Sequence, residues 1–229
     1  MNFTKSQSSE TVFDAISKDR HRTNILRKYE QKSLVFLVQR IPSFITSDML
    51  TGIGFIGSLI TLSGFILATY VERNFLLLGL LGFFVNWFGD SMDGRVAYYR
   101  NTPRKWYGFS LDITVDWLTT ILIGYGYMIY MDGVWEVLGF IFVVMYGWAM
   151  ITTLLRYKVT GKYTIDSGLF GPTEARVIIS AILVAEVLFE GSIVYSALAA
   201  CIILFIINIF DTRKLVSLAN DRDIAEKQK

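Results

Sequence analysis

Residues 90–116 read DSMDGRVAYYRNTPRKWYGFSLDITVD and lie between two strongly apolar segments. The stretch contains four aspartates, at positions 90, 93, 112 and 116. On a helix, residues three or four positions apart share one face, so the first two aspartates pair, as do the last two. The spacing therefore predicts two helix ends that turn their carboxylates toward a common point.

Carboxylates this crowded at a membrane boundary repel one another and lose hydration, unless they take up protons or hold cations. Hard divalent cations such as Mg²⁺, Mn²⁺ and Ca²⁺ prefer oxygen ligands. A divalent-metal site is therefore the simplest interpretation of residues 90–116. The alternative is a set of solvated carboxylates at ordinary helix ends.

Small residues accompany the aspartates, and small residues let backbones and ligands approach closely. Gly94 follows Asp93, and Ala97 lies about one turn further on. Gly108 precedes Asp112 by one turn. The resulting pattern, D-x2-D-G-x2-A followed by G-x3-D-x3-D, resembles the signature of the CDP-alcohol phosphatidyltransferase family. The similarity extends over most of residues 42–210.

One position departs from the family pattern. The family usually has an arginine directly after the motif's alanine, whereas this chain has Tyr98, and a basic residue returns only at Arg100. Arg95 and Arg100 are the two residues that could supply the missing guanidinium. The carboxylates themselves are all present.

The resemblance implies an enzyme that transfers a phosphatidyl group from CDP-diacylglycerol to the hydroxyl of a small polar alcohol, with release of CMP. It implies Mg²⁺ or Mn²⁺ as cofactor, with Asp90, Asp93 and Asp112 as primary ligands. Asp116 corresponds to the general base and is also a candidate ligand. The acceptor remains open among inositol, inositol phosphate and glycerol phosphate.

The resemblance also implies substrate-binding residues. Gly94, Ala97 and Gly108 correspond to positions where the nucleotide packs against the helices or where helices approach closely. Arg156, Lys158 and Arg176 are candidates for binding an acceptor phosphate, because basic residues in this region do so in family members with phosphorylated acceptors. The alternative for these three residues is the ordinary positive charge of a cytoplasmic loop.

A second direction of transfer is open. Residues 171–176 read GPTEAR, which is similar to a G-P-x-E sequence in some choline and ethanolamine phosphotransferases. That similarity implies transfer of phosphocholine or phosphoethanolamine to a diacylglycerol-type lipid. A divalent-cation transporter is a third possibility, because intramembrane carboxylates are also typical of transporters. Transporters, however, favour carboxylates near mid-span and repeated halves, and neither is evident here.

The composition independently indicates a membrane protein. Hydrophobic residues make up 53% of the chain and the mean hydropathy is +0.45, which is rare in soluble domains. The sequence predicts an all-α integral membrane protein with six transmembrane helices, since the longest apolar runs reach the ~20 residues that cross a bilayer. The charge-free runs are 49–71, 74–89, 117–131, 137–155, 177–185 and 191–210.

Three of these runs are too short to span alone. We expect the second helix to continue to about residue 99, the third to begin near residue 104, and the fifth to cover about 172–189. Glu174, Arg176 and Glu186 would then lie in or near the fifth span and should face protein or water.

Basic residues indicate the orientation. Eight lie before Thr46, three in 100–105, three in 156–162 and five after Phe210, whereas the opposite connections hold only Arg73. Short loops rich in Lys and Arg stay in the cytoplasm, so we expect both termini and the aspartates on the cytoplasmic side of an inner or plasma membrane.

The domain organisation follows from these spans. We expect a cytoplasmic segment over residues 1–46, the six-helix domain over 47–213, and a solvated cytoplasmic tail over 214–229. Leu34, Leu37, Val38 and Ile41 have helical spacing and predict an amphipathic helix on the membrane surface that ends at Pro42. The alternative is an ordinary juxtamembrane linker. We expect Ser47 or Asp48 to cap the first transmembrane helix.

The remaining observations limit other mechanisms. The single histidine, His21, lies in the polar N-terminal region, and the single cysteine, Cys201, lies in an apolar run, so neither forms a catalytic dyad and no internal disulfide is possible. Nothing indicates nucleic-acid binding. The partners expected are a CDP-activated donor, an alcohol or lipid acceptor, membrane lipids and a second copy of the chain, since the family resemblance suggests a homodimer.

Overall fold

A computed structural model describes residues 27–161 and 172–228, with side chains from residue 33 onward. Every regular element in these ranges is helical, which confirms the all-α prediction. Residues 1–26, which include His21, and residues 162–171, which include Lys162 and Gly171, lie outside the described part. The α-helices are α1 (Arg27–Val38), α2 (Ser47–Tyr70), α3 (Leu78–Tyr99), α4 (Lys105–Tyr130), α5 (Val137–Thr160), α6 (Pro172–Leu188) and α7 (Ser192–Lys227), and 3₁₀ turns at Arg73–Leu77 and Gly133–Glu136 lead into α3 and α5.

Four segments among the described residues are long and apolar enough to cross a membrane, and they contain α2, α3, α5 and α7. The other two helices of the bundle differ from them. α4 has 26 residues but carries Asp112 and Asp116 in its first half, and α6 has only 17 residues. Six spans therefore remain a prediction.

The helix ends next to the aspartates lie close to the expected positions. α3 ends at Tyr99 and α4 begins at Lys105, so both helices extend well past the apolar runs that define them in sequence. α7 continues to Lys227 with no break near residue 214, so the expected tail is helical where it is described, and its boundary stays a prediction. Most side chains after residue 214 are exposed, Leu215 is buried, and Arg222 donates to the carbonyls of Lys158 and Val159 at the end of α5.

The N-terminal helix is shifted relative to expectation. α1 ends at Val38, four residues before Pro42, so the proline does not stop it. Leu34 and Val38 are buried against Met92 and other apolar side chains of α2 and α3. The apolar face of α1 thus covers the start of α2 and the end of α3, the helix that carries Asp90 and Asp93, and its position on a membrane surface stays a prediction.

The cap of α2 is Thr46, one residue before the expected Ser47 or Asp48. Thr46 has extended backbone geometry, and its hydroxyl accepts a hydrogen bond from the backbone N–H of Met49 at 3.2 Å. Ser47 instead donates to the carbonyl of Asp93 at 2.8 Å. The expected capping hydroxyl therefore ties α2 to the aspartate helix.

α2 and α3 touch along their backbones through glycines. A Cβ on Gly57 would lie 2.5 Å from the Gly82 carbonyl oxygen, and a Cβ on Gly82 would lie 2.6 Å from the Gly57 carbonyl oxygen. Gly54 and Gly89 meet in the same way further along, where a Cβ on Gly89 would lie 2.6 Å from the Gly54 Cα. No larger residue fits here, so the glycines fix how closely these two helices pack.

A buried carboxylate joins α6 and α7 at the opposite end of the bundle. Glu186 is 2% exposed and accepts hydrogen bonds from the Tyr130 hydroxyl at 2.9 Å and from the backbone N–H groups of Gly191 and Ile193 at 3.0 and 2.8 Å. Glu186 therefore accepts one N–H group from the second residue of α7 and one from the residue that precedes the helix. Glu174 is also buried, which agrees with the expectation that both glutamates face protein.

Substituting Gly57 with alanine should destabilise the fold, because the added methyl group meets the backbone of α3. We expect a loss of about 1–3 kcal/mol, measured as a lower midpoint of thermal unfolding in detergent. Gly52→Ala is the matched control on the same helix, since no atom among the described residues lies within 4 Å of the added carbon. An equal loss in both variants would contradict the packing role assigned to Gly57.

Candidate metal centre

Three of the four aspartates lie together. One carboxylate oxygen each from Asp90 on α3 and from Asp112 and Asp116 on α4 falls within 4.8 Å of the other two, and all three residues are half-buried. Measured along the helices, Asp90 lies about 13 Å before the end of α3 and Asp112 about 10 Å after the start of α4. The cluster is thus recessed from the helix ends but remains accessible.

Asp93 has a different environment from the other three. Its Oδ2 accepts a hydrogen bond from the Thr51 hydroxyl at 2.7 Å, and its Oδ1 accepts one from the backbone N–H of Gly94. The residue is 7% exposed and faces α2. Asp93 therefore anchors α3 to α2 and is not among the three carboxylates grouped within 4.8 Å.

A guanidinium lies against the carboxylate cluster. Arg176 on α6 donates from Nη2 to Asp90 Oδ2 at 2.8 Å and from Nε to Asn86 Oδ1 at 2.7 Å. It also interacts electrostatically with Asp116. Its side chain is 13% exposed. Arg176 therefore belongs to this site, and a fixed positive charge offsets part of the carboxylate repulsion.

Asn86 was not identified from the sequence, and it links four helices. Its Nδ2 donates to the Gly54 carbonyl at 3.0 Å and to the Ser58 hydroxyl at 3.1 Å, while its Oδ1 accepts from Arg176. Ser58 in turn shares a hydrogen bond of 2.7 Å with Thr119 on α4. The signal available in sequence was an amide in an apolar run, one turn before Asp90.

Tyr146 on α5 also reaches the site and was not identified from the sequence. It interacts electrostatically with Asp90, Asp116 and Arg176. α5 comes this close because Gly147 packs on the ring of Trp117, where a Cβ would lie 2.8 Å from two ring carbons. Contact between α4 and α5 thus brings the tyrosine near enough to the carboxylates to interact with them electrostatically.

The three basic residues expected to bind an acceptor have different partners. Arg156 forms an ion pair with Asp211 on α7 at 3.4 Å, whereas Arg176 binds Asp90 and Asn86. Lys158 is exposed. The described contacts therefore place only Arg176 at the carboxylate cluster.

The positions expected to contact a nucleotide are separated as well. Ala97 lines a cavity between the start of α2 and the α3–α4 connection, together with Ser47 and Arg104. Gly94 follows Asp93 on α3, and its backbone N–H donates to the Asp93 carboxylate. Gly108 is exposed, and among the described residues nothing lies within 4 Å of a Cβ built there, so the expected close helix approach at this glycine is not seen.

The two arginines that could replace the missing family guanidinium are engaged elsewhere. Arg100 donates to the backbone carbonyls of Ile41, Pro42 and Ile45 at 2.6–3.2 Å. Arg95 is 5% exposed and donates to the Ser91 carbonyl of its own helix. Arg100 therefore ties the end of α3 to the segment that leads into α2, whereas this contact of Arg95 stays within α3.

The clustered side chains fit a divalent cation. Three carboxylates from two helices offer the hard oxygen ligands that Mg²⁺ and Mn²⁺ prefer, and oxygens within 4.8 Å of one another can surround one ion. The site is half-buried, which leaves room for substrate oxygens or water to complete the coordination.

Replacing Asn86 with alanine should destabilise the fold, because the buried Nε of Arg176 loses its acceptor and Ser58 loses a partner. We expect a loss of about 2–4 kcal/mol, seen as a lower unfolding midpoint in detergent. Asn74→Ala is the control, since Asn74 is exposed and its amide donates to Glu72. An Asn86 variant as stable as the Asn74 variant would contradict the linking role.

Residues 44–209 match the model of one protein family, described as CDP-alcohol phosphatidyltransferase. The match covers well over half of the chain and includes α2 to α6, with every aspartate of the motif. This family transfers substituted phosphate groups and uses a divalent metal. No individual curated protein matches the chain. The resemblance carried by the aspartate motif is therefore confirmed.

Proposed function

Because the chain belongs to the CDP-alcohol phosphatidyltransferase family, we propose that it transfers a phosphatidyl group from CDP-diacylglycerol to the hydroxyl of a small polar alcohol. CMP is released, and the product is a membrane phospholipid. The observation that carries this proposal is the grouping of Asp90, Asp112 and Asp116 within 4.8 Å. It provides the carboxylates that metal-assisted phosphoryl transfer requires.

Asp90, Asp112 and Asp116 would hold Mg²⁺ or Mn²⁺, and Asp93 would join them through lone pairs that its hydrogen bonds leave over. A cation bound there would neutralise charge on the donor pyrophosphate and stabilise the leaving CMP. The hydrogen bonds of Asp93 to Thr51 and Gly94 restrain its rotation. Contacts with both α2 and α3 would therefore fix the position of Asp93 among the metal ligands.

Asp116 would act as the general base. The acceptor oxygen forms a bond to the phosphorus next to the lipid, the bond from that phosphorus to the CMP oxygen breaks, and the hydroxyl proton moves to the Asp116 carboxylate. Thr120 lies one turn further along α4, and its hydroxyl donates to the backbone carbonyl of Asp116 at 2.9 Å, which supports the backbone at Asp116.

The nucleotide of the donor would lie in the cavity lined by Ala97. Ser47 also lines this cavity and donates to the Asp93 carbonyl, so the cavity adjoins the aspartate helix. Arg104 adds positive charge at its rim, although it is paired with Asp48. Gly94 and Gly108 would leave space for the donor on α3 and α4.

The acceptor would be a phosphorylated or neutral polyol, such as inositol, inositol phosphate or glycerol phosphate. Arg176 supports this choice because its guanidinium already lies at the reacting carboxylates, and Arg fits the geometry of phosphate oxygens. Arg156 and Lys158 would extend the positive surface toward the end of α5. A phosphocholine donor with a diacylglycerol acceptor is the competing direction that the experiment below distinguishes.

The chain would cross the membrane six times, with α4 and α6 completing the four clear spans. Basic residues flank the ends that adjoin the aspartates, which supports a cytoplasmic site and cytoplasmic termini. A soluble nucleotide and a membrane lipid can meet at such a site. A homodimer is part of the proposal, because the exposed faces of the apolar helices offer surface for a second copy.

The direct test measures CMP release by purified protein in detergent with Mg²⁺ or Mn²⁺. CDP-diacylglycerol, CDP-choline and CDP-ethanolamine are each paired with polyol and diacylglycerol acceptors. We expect CMP with CDP-diacylglycerol and a polyol, no CMP after metal removal, and a loss of at least about 100-fold in Asp116→Asn. Asp132→Asn is the control, because Asp132 is an exposed carboxylate that precedes α5.

Turnover with only CDP-choline or CDP-ethanolamine and diacylglycerol would contradict the proposed direction while retaining the enzyme class. Folded, metal-binding protein that releases no CMP from any donor would contradict the proposed activity. Metal-dependent ion uptake into liposomes by that same protein, altered in Asp116→Asn, would then indicate transport.

A further inference from the structure

We propose that Arg176 competes with the divalent cation for Asp90 and thereby lowers the metal affinity of the carboxylate cluster. The inference rests on the metal site of the proposed function. It concerns the resting site before substrate binds, and it assigns Arg176 an effect on the metal in addition to any contact with the acceptor.

Asp90 both pairs with Arg176 and belongs to the carboxylate cluster. Its Oδ2 accepts a hydrogen bond from Arg176 Nη2 at 2.8 Å, and one of its oxygens lies within 4.8 Å of Asp112 and Asp116 oxygens. A guanidinium stays charged at any physiological pH, so its positive charge is permanent. A metal ion that binds these carboxylates must share Asp90 with Arg176 or displace it.

Asn86 holds the guanidinium in place from the other side. Nε of Arg176 donates to Asn86 Oδ1 at 2.7 Å, and Asn86 is itself fixed by Gly54 and Ser58 on α2. Asn86 is 2% exposed, so this support does not depend on solvent. Arg176 is therefore a rigidly positioned cation rather than a side chain that moves freely away from Asp90.

Such a cation opposes metal binding in two ways. It occupies a lone pair of one prospective ligand, and it repels a second positive charge in a partly dehydrated site. Substrate phosphate reverses both effects, because a phosphate dianion can take over the guanidinium and free Asp90. The carboxylate cluster should consequently bind metal weakly until a phosphate-bearing substrate is present.

The experiment measures Mn²⁺ affinity of the purified, substrate-free protein by the loss of the free Mn²⁺ signal in electron paramagnetic resonance. We expect Arg176→Gln to bind Mn²⁺ at least about tenfold more tightly than the wild type, which corresponds to about 1.4 kcal/mol. Arg176→Lys keeps the charge but loses the planar fork, so its affinity should lie between the two. Thermal unfolding checks that each variant is folded.

Arg73→Gln is the matched control. It removes a guanidinium paired with a carboxylate, Glu190, at 2.6 Å. Arg73 lies in the 3₁₀ turn that precedes α3, and the part of α3 from Leu78 to Asp90 alone is about 18 Å long, so removal of Arg73 should leave Mn²⁺ affinity unchanged. A gain in Arg73→Gln equal to that in Arg176→Gln would overturn the inference, because it would show a general effect of net charge.

Weaker Mn²⁺ binding in folded Arg176→Gln would overturn the inference and show that the guanidinium positions Asp90 as a ligand. If Arg176→Gln does not fold, the Mn²⁺ affinity of Arg176→Lys is compared with that of the wild type instead. Tighter binding then supports the inference, and weaker binding overturns it. Unchanged affinity in a protein whose CMP release requires metal would reject this inference alone. A wild type that neither binds Mn²⁺ nor needs metal for CMP release would reject the proposed function as well.

Discussion

The close approach of α2 and α3 is the constraint on which the rest of the site depends. Gly57 and Gly82 bring the two backbones so near that neither position accepts a side chain. That distance lets Asn86 reach the Gly54 carbonyl and lets Asp93 reach Thr51. Without it, the aspartate helix would lose the polar contacts that fix its rotation.

The second organising force is electrostatic. Three half-buried carboxylates lie close together and repel one another. The guanidinium from α6 offsets part of this repulsion, and the expected divalent cation would offset the rest. Asn86 donates to Ser58 on α2 and accepts from Arg176. The position of the guanidinium therefore depends on the close packing of α2 and α3 at the glycines. Helix packing and charge compensation are therefore coupled in one network.

The sequence predicted what depends on local spacing. The helix ends at Tyr99 and Lys105 lie close to the positions predicted from runs of neighbouring residues. The predicted convergence of two aspartate pairs is seen for Asp90, Asp112 and Asp116, whereas Asp93 is not part of that group. Individual side-chain contacts between distant segments could not be predicted from the sequence. The sequence placed Arg176 near the start of the fifth span as a candidate for binding an acceptor phosphate, but it could not show that Asp90 is its partner. Periodicity put Asp93 on one face with Asp90 without revealing its contact with Thr51 of α2.

The central claim is that carboxylates from two helices form one divalent-cation site, and anomalous diffraction from crystals grown in Mn²⁺ tests it most directly. The account predicts an anomalous peak about 2.0–2.3 Å from oxygens of Asp90, Asp112 and Asp116, at the distances typical of hard-cation coordination. Diffraction of good quality with no peak at these carboxylates, or with Mn²⁺ bound only elsewhere, would contradict the account.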